Sequence, residues 1–110
     1  MKQISVAKDY SRYPAGRFKS DGPANGEKFR TMYLVPALER SESTTIDLDG
    51  TRGYGSSFLE EAFGGLVRLG YSKEQIGSFI KLTSVDESLI DEIWHYIDVA
   101  QSRVTGDDAG

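Results

Sequence analysis

The chain has no cysteine, one histidine and three prolines in 110 residues. Without cysteine there is no disulfide framework and no thiolate chemistry. The single histidine, His95, has no second histidine or cysteine to join it in a metal set, and no Ser-His-Asp arrangement can be built on it. It reads as a surface or boundary residue, and no catalytic residue, metal or cofactor is expected. A basic excess is also missing, since 13 Lys and Arg stand against 17 Asp and Glu for a net charge of −4. Dedicated nucleic-acid binders usually carry a basic face or tail, so that role is disfavoured. No apolar run approaches the ~20 residues that span a bilayer. The opening MKQISVAKDYS lacks the apolar core of a secretion signal, and a cytoplasmic location is expected.

What is present is an ordinary share of apolar residues, 38%, in a chain of one-domain size. Residues 1–105 are expected to form that domain, with 106–110 (GDDAG) as a polar tail. Its centre is TTIDLDG-TRGYGSS-FLEEAFGGLVRL, residues 44–69, which reads as a strand, a glycine-rich turn and a helix. Ile46 and Leu48 alternate with Thr45 and Asp47 as in a half-buried strand. Gly50, Gly53 and Gly55 then break regular structure. Phe58, Leu59, Ala62, Phe63, Leu66 and Leu69 recur at helical spacing. Ser57 and Glu60 fit a capping box. Gly64-Gly65 inside the helix costs about 1 kcal/mol per glycine relative to alanine, a cost usually offset where the backbone lies close to a sheet or a partner.

The rest of the chain supports two further strands. Ile4 and Val6 alternate with Ser5 and Ala7. Residues 78–82 place Ile80 and Leu82 opposite Phe79 and Lys81. Between the first two strands, residues 8–25 form a long glycine- and proline-rich connection carrying Arg12, Arg17 and Lys19, with a short strand over 17–19 as an option. Two readings of it stand: a solvated loop, or a loop that contacts an anion or a partner. A helix starts near Gly26 with Asn25 as its cap and kinks or restarts at Pro36. After the central helix, Gly70 is a stop. Residues 72–75 form a single helical turn, and Ser84 with Glu87 forms a second capping box. A last helix is striped by Leu89, Ile90, Ile93, Trp94, Ile97 and Ala100. In all three strands one face is apolar and the other polar. Strand–helix–strand crossovers are nearly always right-handed. The expected fold is therefore α/β, a small mostly parallel sheet of three or four strands with helices mainly on one face.

Two blocks, GRFKSDGPANGEKFR and YGSSFLEEAFGGLVR, make the chain resemble the STAS-like domain of unknown function, related to the sulfate transporter and anti-sigma-factor antagonist superfamily. The resemblance runs from about Ile4 to Ala100. In that superfamily a strand leads into Asp-Ser-Ser-Gly, whose first serine is phosphorylated by a partner kinase. Here the sequence is Gly55-Ser56-Ser57-Phe58, so Ser56 matches the phosphoacceptor while the preceding Asp and following Gly are absent. The resemblance implies a two-layer sandwich and a protein partner of the histidine-kinase-like ATPase class.

The candidate site residues follow. Ser56 and Ser57 read first as turn and cap residues, and are also the phosphoacceptor candidates. Asp49, at the C-terminal end of the central strand where ligands of open α/β sheets gather, would share a rim with Arg52, Ser56 and the Arg17 loop, and Lys19, Gly53 and Gly55 join them as ligand- or partner-binding candidates. Asp47 would face the polar side of the sheet, free to pair with Lys81. Glu60 serves the cap, and Glu61 is free to meet a partner. The function expected is a non-enzymatic regulatory interaction module. The alternative is a sensor or small enzyme for a nucleotide or phosphate ester held by the glycine-rich turn.

Overall fold

Three short strands and four helices alternate through residues 2–105, the part of the chain that the computed structural model describes. The expected polar tail, 106–110, lies outside the described residues. Strand β1 is Lys2–Ser5, β2 is Thr44–Asp47 and β3 is Ile80–Thr83. They form one parallel sheet in the order β1-β2-β3, with Ile4 opposite Ile46 and Ile46 opposite Leu82. Ile4, Ile46 and Ile80 are buried on one face, whereas Gln3 and Lys81 on the other are exposed. A sheet wound in one direction by right-handed crossovers keeps its helices on one face, and the burial pattern agrees with the two-layer α/β sandwich expected.

The first strand ends earlier than its alternation suggests. Asp9 accepts the Ser5 N–H at 2.7 Å, and the Ser5 hydroxyl accepts the Lys8 N–H. These bonds fold Val6–Tyr10 into one wide π-type turn. Val6 is still buried, but by the turn rather than by a strand. No strand forms over 17–19; Lys19–Asp21 is a 3₁₀ turn.

Helix α1 covers residues 26–39 as three consecutive stretches, Gly26–Phe29, Arg30–Leu34 and Val35–Glu39. Asn25 caps it, accepting the Lys28 N–H at 2.8 Å. Pro36 does not break it. The stretch ahead widens to a π-type turn in which the Val35 N–H reaches the Arg30 carbonyl, and this accommodates a residue that cannot donate to the preceding turn. Helix α2 covers residues 56–68 as Ser56–Leu59, Glu60–Gly64 and Gly65–Arg68. The two helices nearly touch, because a Cβ on Gly26 would lie 2.5 Å from the Phe58 carbonyl. Around that contact Phe29, Phe58 and Phe63 are fully buried, with the Phe29 and Phe58 rings 5.8 Å apart.

Helix α3 runs Lys73–Phe79 rather than a single turn. Ser72 and Gln75 cap it reciprocally, and Ile76 is buried beneath it. This longer helix takes Ser78 and Phe79 away from the third strand. Helix α4, Glu87–Thr105, opens on Asp86, whose carboxylate accepts the Ser88 N–H, and not on a Ser84–Glu87 box. The Ser84 hydroxyl is engaged by Asp49. Ile93, Ile97 and Ala100 anchor α4 in the core.

Candidate functional site

The turn from β2 into α2 is shaped by glycine where the sequence placed it. Gly50 and Gly53 have φ of 97° and 130°, which a Cβ would strain, whereas Gly55 at −72° is ordinary extended backbone. Asp49 does not open toward a ligand. Its carboxylate accepts the Ser84 hydroxyl at 2.8 Å and the Val85 N–H at 3.2 Å, tying the end of β2 to the β3–α4 turn. Asp47 accepts the Asp49 N–H at 3.0 Å; among the described residues it forms no pair with Lys81. The Tyr54 hydroxyl donates to the Leu48 carbonyl at 2.7 Å, and burial pushes the phenol up to about 12.

Helix α2 begins two residues earlier than a Ser57 cap requires. Gly55 is the N-cap and no side chain caps it, so Ser57 sits inside the first turn, half-buried. Ser56 is the first helical residue and is exposed; its hydroxyl neighbours the Tyr96 phenol of α4. Glu60 does not reach back to a cap because two arginines hold it. Arg17 donates to its Oε1 and Arg68 to its Oε2, the latter at 2.7 Å. Burial alone would raise the Glu60 carboxyl, but the hydrogen bonds from Arg68 and Arg17 outweigh it and hold the group below the usual carboxylate range.

Glu61 is likewise not free. It is buried, 7% exposed, and its Oε2 accepts from Arg30 at 2.8 Å while its Oε1 accepts from Arg17 at 3.2 Å. Arg30 also donates to the Glu61 backbone carbonyl, and its Nε is a buried atom with no partner among the described residues. The double glycine makes this network possible. A Cβ on Gly64 would lie 2.5 Å from Glu60 Oε2, in the path by which Arg68 spans two turns to Glu60, and a Cβ on Gly65 would overlap the Arg30 guanidinium. The backbone of Gly64-Gly65 thus lies close to charged side chains, not to a sheet.

Arg17 reaches α2 because the 11–25 loop is built onto the start of α1. The Gly26 and Glu27 N–H groups donate to the Gly16 and Arg17 carbonyls at 3.0 Å, and the Ala15 N–H donates to the Ala24 carbonyl. Asp21 closes the tip by accepting the Arg17 and Phe18 N–H groups. Lys19 remains exposed, its N–H on Glu27. Arg52 is exposed too, and its N–H donates to the Arg12 carbonyl at 2.8 Å. Arg17 therefore does not share a rim with Asp49. It faces a cleft of about 590 Å³ whose walls are the loop at Arg17 and Phe18, α2 at Glu60, Glu61 and Arg68, and α4. From α4 come His95, Tyr96, Val99 and Arg103.

The sequence reading thus missed Arg30, Arg68 and the role of α4. The available signal was the spacing Glu60–Gly64–Arg68, two turns of one helix face with a glycine between the charges. Among the described residues no group of three His, Cys, Asp or Glu could hold a metal, and no helix is long and apolar enough to cross a membrane.

A small parallel sheet backed by helices on one face, with a glycine-rich strand-to-helix turn opening on exposed Ser56, defines a STAS-like sandwich. The chain belongs to that family: the STAS-like domain of unknown function matches residues 25–89, from the cap of α1 into α4. The match contains Ser56 and the Glu60–Glu61 pair and leaves out the Arg17 loop, so it is narrower than the span expected from sequence. No curated protein and no solved structure matches the chain.

Proposed function

We propose that this domain is a non-enzymatic regulatory module that docks on a protein partner through the first turns of α2, with Ser56 as a phosphorylation switch. The observation that carries this reading is the placement of Ser56, exposed at the first position of a helix whose N-terminus has no side-chain cap. A phosphate there would meet open backbone N–H groups and the positive end of the helix dipole. It would also stand one turn from Glu60, which Arg17 of the loop holds. Arg17 uses only Nη1 on Glu60 and Glu61, so its guanidinium has further donors to offer. Since the Arg17 loop is bonded to the start of α1, drawing Arg17 toward the phosphate would shift the surface a partner meets. The partner class that the STAS resemblance favours is a histidine-kinase-like ATPase.

The test compares wild type, Ser56→Ala and Ser56→Asp after incubation with native extract and ATP. Intact mass reports phosphate, and affinity capture reports the partner. The expected outcome is one phosphate on wild type, none on Ser56→Ala, and an ATPase captured by Ser56→Ala but not by Ser56→Asp. No phosphate on wild type together with equal capture by all three chains would remove the switch.

A further inference from the structure

We propose that the cleft between α2, α4 and the Arg17 loop binds a small aromatic oxyanion, a phosphate or carboxylate on a ring. This cleft shares Arg17 with the proposed phosphoserine, but ligand binding there needs no modification of Ser56. The first ground is charge balance. Arg17, Arg30 and Arg68 are gathered on two carboxylates, Glu60 and Glu61, so the network holds three guanidiniums against two anions. This local surplus stands in a chain whose overall charge is −4. One more oxyanion would balance it.

The second ground is access. Arg30 and Glu61 are buried, but the Arg17 and Arg68 side chains remain 35% and 43% exposed, and both line the cleft. Arg17 bonds the carboxylates through Nη1 alone, and neither its Nη2 nor its Nε has a partner among the described residues. A guanidinium donates through both edges, and its planar fork suits phosphate and carboxylate oxygens. The carboxylates already present do not repel such a ligand strongly, because the arginines themselves neutralise them.

The third ground is the aromatic and apolar part of the lining. Phe18, 47% exposed on the loop, lines the same cleft as Tyr96 and Val99 of α4. A bare ion would leave these surfaces in water, whereas a ring between them would bury apolar area and stack on an aromatic face. The volume, about 590 Å³, lies within the range of ~300–1,000 Å³ typical of small-molecule sites.

The experiment is an NMR titration of the unmodified chain with phenyl phosphate, alongside inorganic phosphate and phenol as its two halves, at low salt. His95, which lines the cleft, provides a ring signal inside the site. Expected is saturable movement of the His95 ring and of the Phe18, Arg68 and Val99 amides, with phenyl phosphate binding at least tenfold more tightly than either half. Arg68→Gln, at an exposed position, should weaken binding at least tenfold, Arg68→Lys should restore part of it, and Arg52→Gln should change nothing. Non-saturating shifts would overturn the assignment. So would shifts centred on residues 50–55 that Arg52→Gln removes, or binding of inorganic phosphate as tight as that of phenyl phosphate.

Discussion

The guanidinium of Arg30 occupies the place where residue 65 would carry a side chain, so Gly65 of α2 and Arg30 of α1 are fitted to each other. The contact brings a buried cation to Glu61 at 2.8 Å, next to the part-exposed Glu60–Arg68 pair. Gly65→Ala should therefore destabilise the fold by about 1–3 kcal/mol through overpacking, even though alanine favours helix by about 1 kcal/mol. Gly77 in α3 is the control. Its Cβ would find only the Trp94 ring at 3.6 Å, an ordinary contact, so Gly77→Ala should stabilise by ~0.5–1 kcal/mol. Urea denaturation of both variants measures the opposite signs.

Glu61→Leu should be the most damaging single change in the network. It leaves Arg30 buried without its anion, which costs about 3–5 kcal/mol when one partner of a buried pair is removed. Arg30→Met in the same chain should recover most of that loss, since a well-packed apolar pair is often as stable as a buried ion pair. A double-mutant cycle by denaturation checks this. If the two losses simply add, the pair is not a coupled unit.

Acid should loosen the domain through Glu60. Its carboxyl lies below its ordinary value of 4.5 in the fold, because Arg68 and Arg17 outweigh burial. Its stabilisation is thus present above pH 4.5 and lost as pH falls through the lower, folded value. Glu60→Gln should flatten this part of the acid limb in a Tm-against-pH series, and an unchanged limb would show that other carboxylates dominate it.

Alkali should act through Tyr10 and Tyr54, both raised by burial from 10 to about 12. The unfolded chain releases these protons first, so stability holds below pH 10 and declines between 10 and 12. Tyr54→Phe should reduce that decline while losing the hydrogen bond to the Leu48 carbonyl. Tyrosinate absorbance and circular dichroism followed together should show ionisation accompanying unfolding.

Asp49→Ala should cost stability without touching the cleft. Its carboxylate joins β2 to the Ser84–Val85 turn, and hydrogen bonds to a charged group contribute about 1.5–3 kcal/mol. Phenyl phosphate titration of this variant should match wild type. A large loss of binding would place Asp49 in the ligand's path after all.

Much of the architecture was legible because it rests on local pattern. Alternation in β2 named Ile46 and Leu48 as buried, and both are. The apolar stripe of α2 from Phe58 to Leu66 and Asn25 as the cap of α1 were equally plain, but Leu69, read into the same stripe, lies past the last helical residue and is 58% exposed. The errors lie where two local signals compete. Ser57 with Glu60 reads as a capping box, but the Glu60 carboxylate is drawn to Arg17 and Arg68. Ser84 with Glu87 reads the same way, but Ser84 is held by Asp49 and Asp86 caps α4. In each case a contact from elsewhere in the chain was stronger than the short-range pairing, and no spacing rule records such contacts.

By itself the sequence determined the class of fold, because burying one face of each strand and one stripe of each helix needs only the periodicity of side chains along an element. It also determined that Ser56 stands near the point where strand gives way to helix, since Gly50, Gly53 and Gly55 interrupt regular structure between the alternation of β2 and the apolar stripe of α2. Which charges meet was decided by the tertiary structure alone. Arg17, Arg30 and Arg68 come from a loop and two helices, and only the close packing of α1 on α2 and the bonding of the loop to the start of α1 set them on the same pair of carboxylates. Electrostatic partners are chosen by distance in space, and distance in sequence does not determine it.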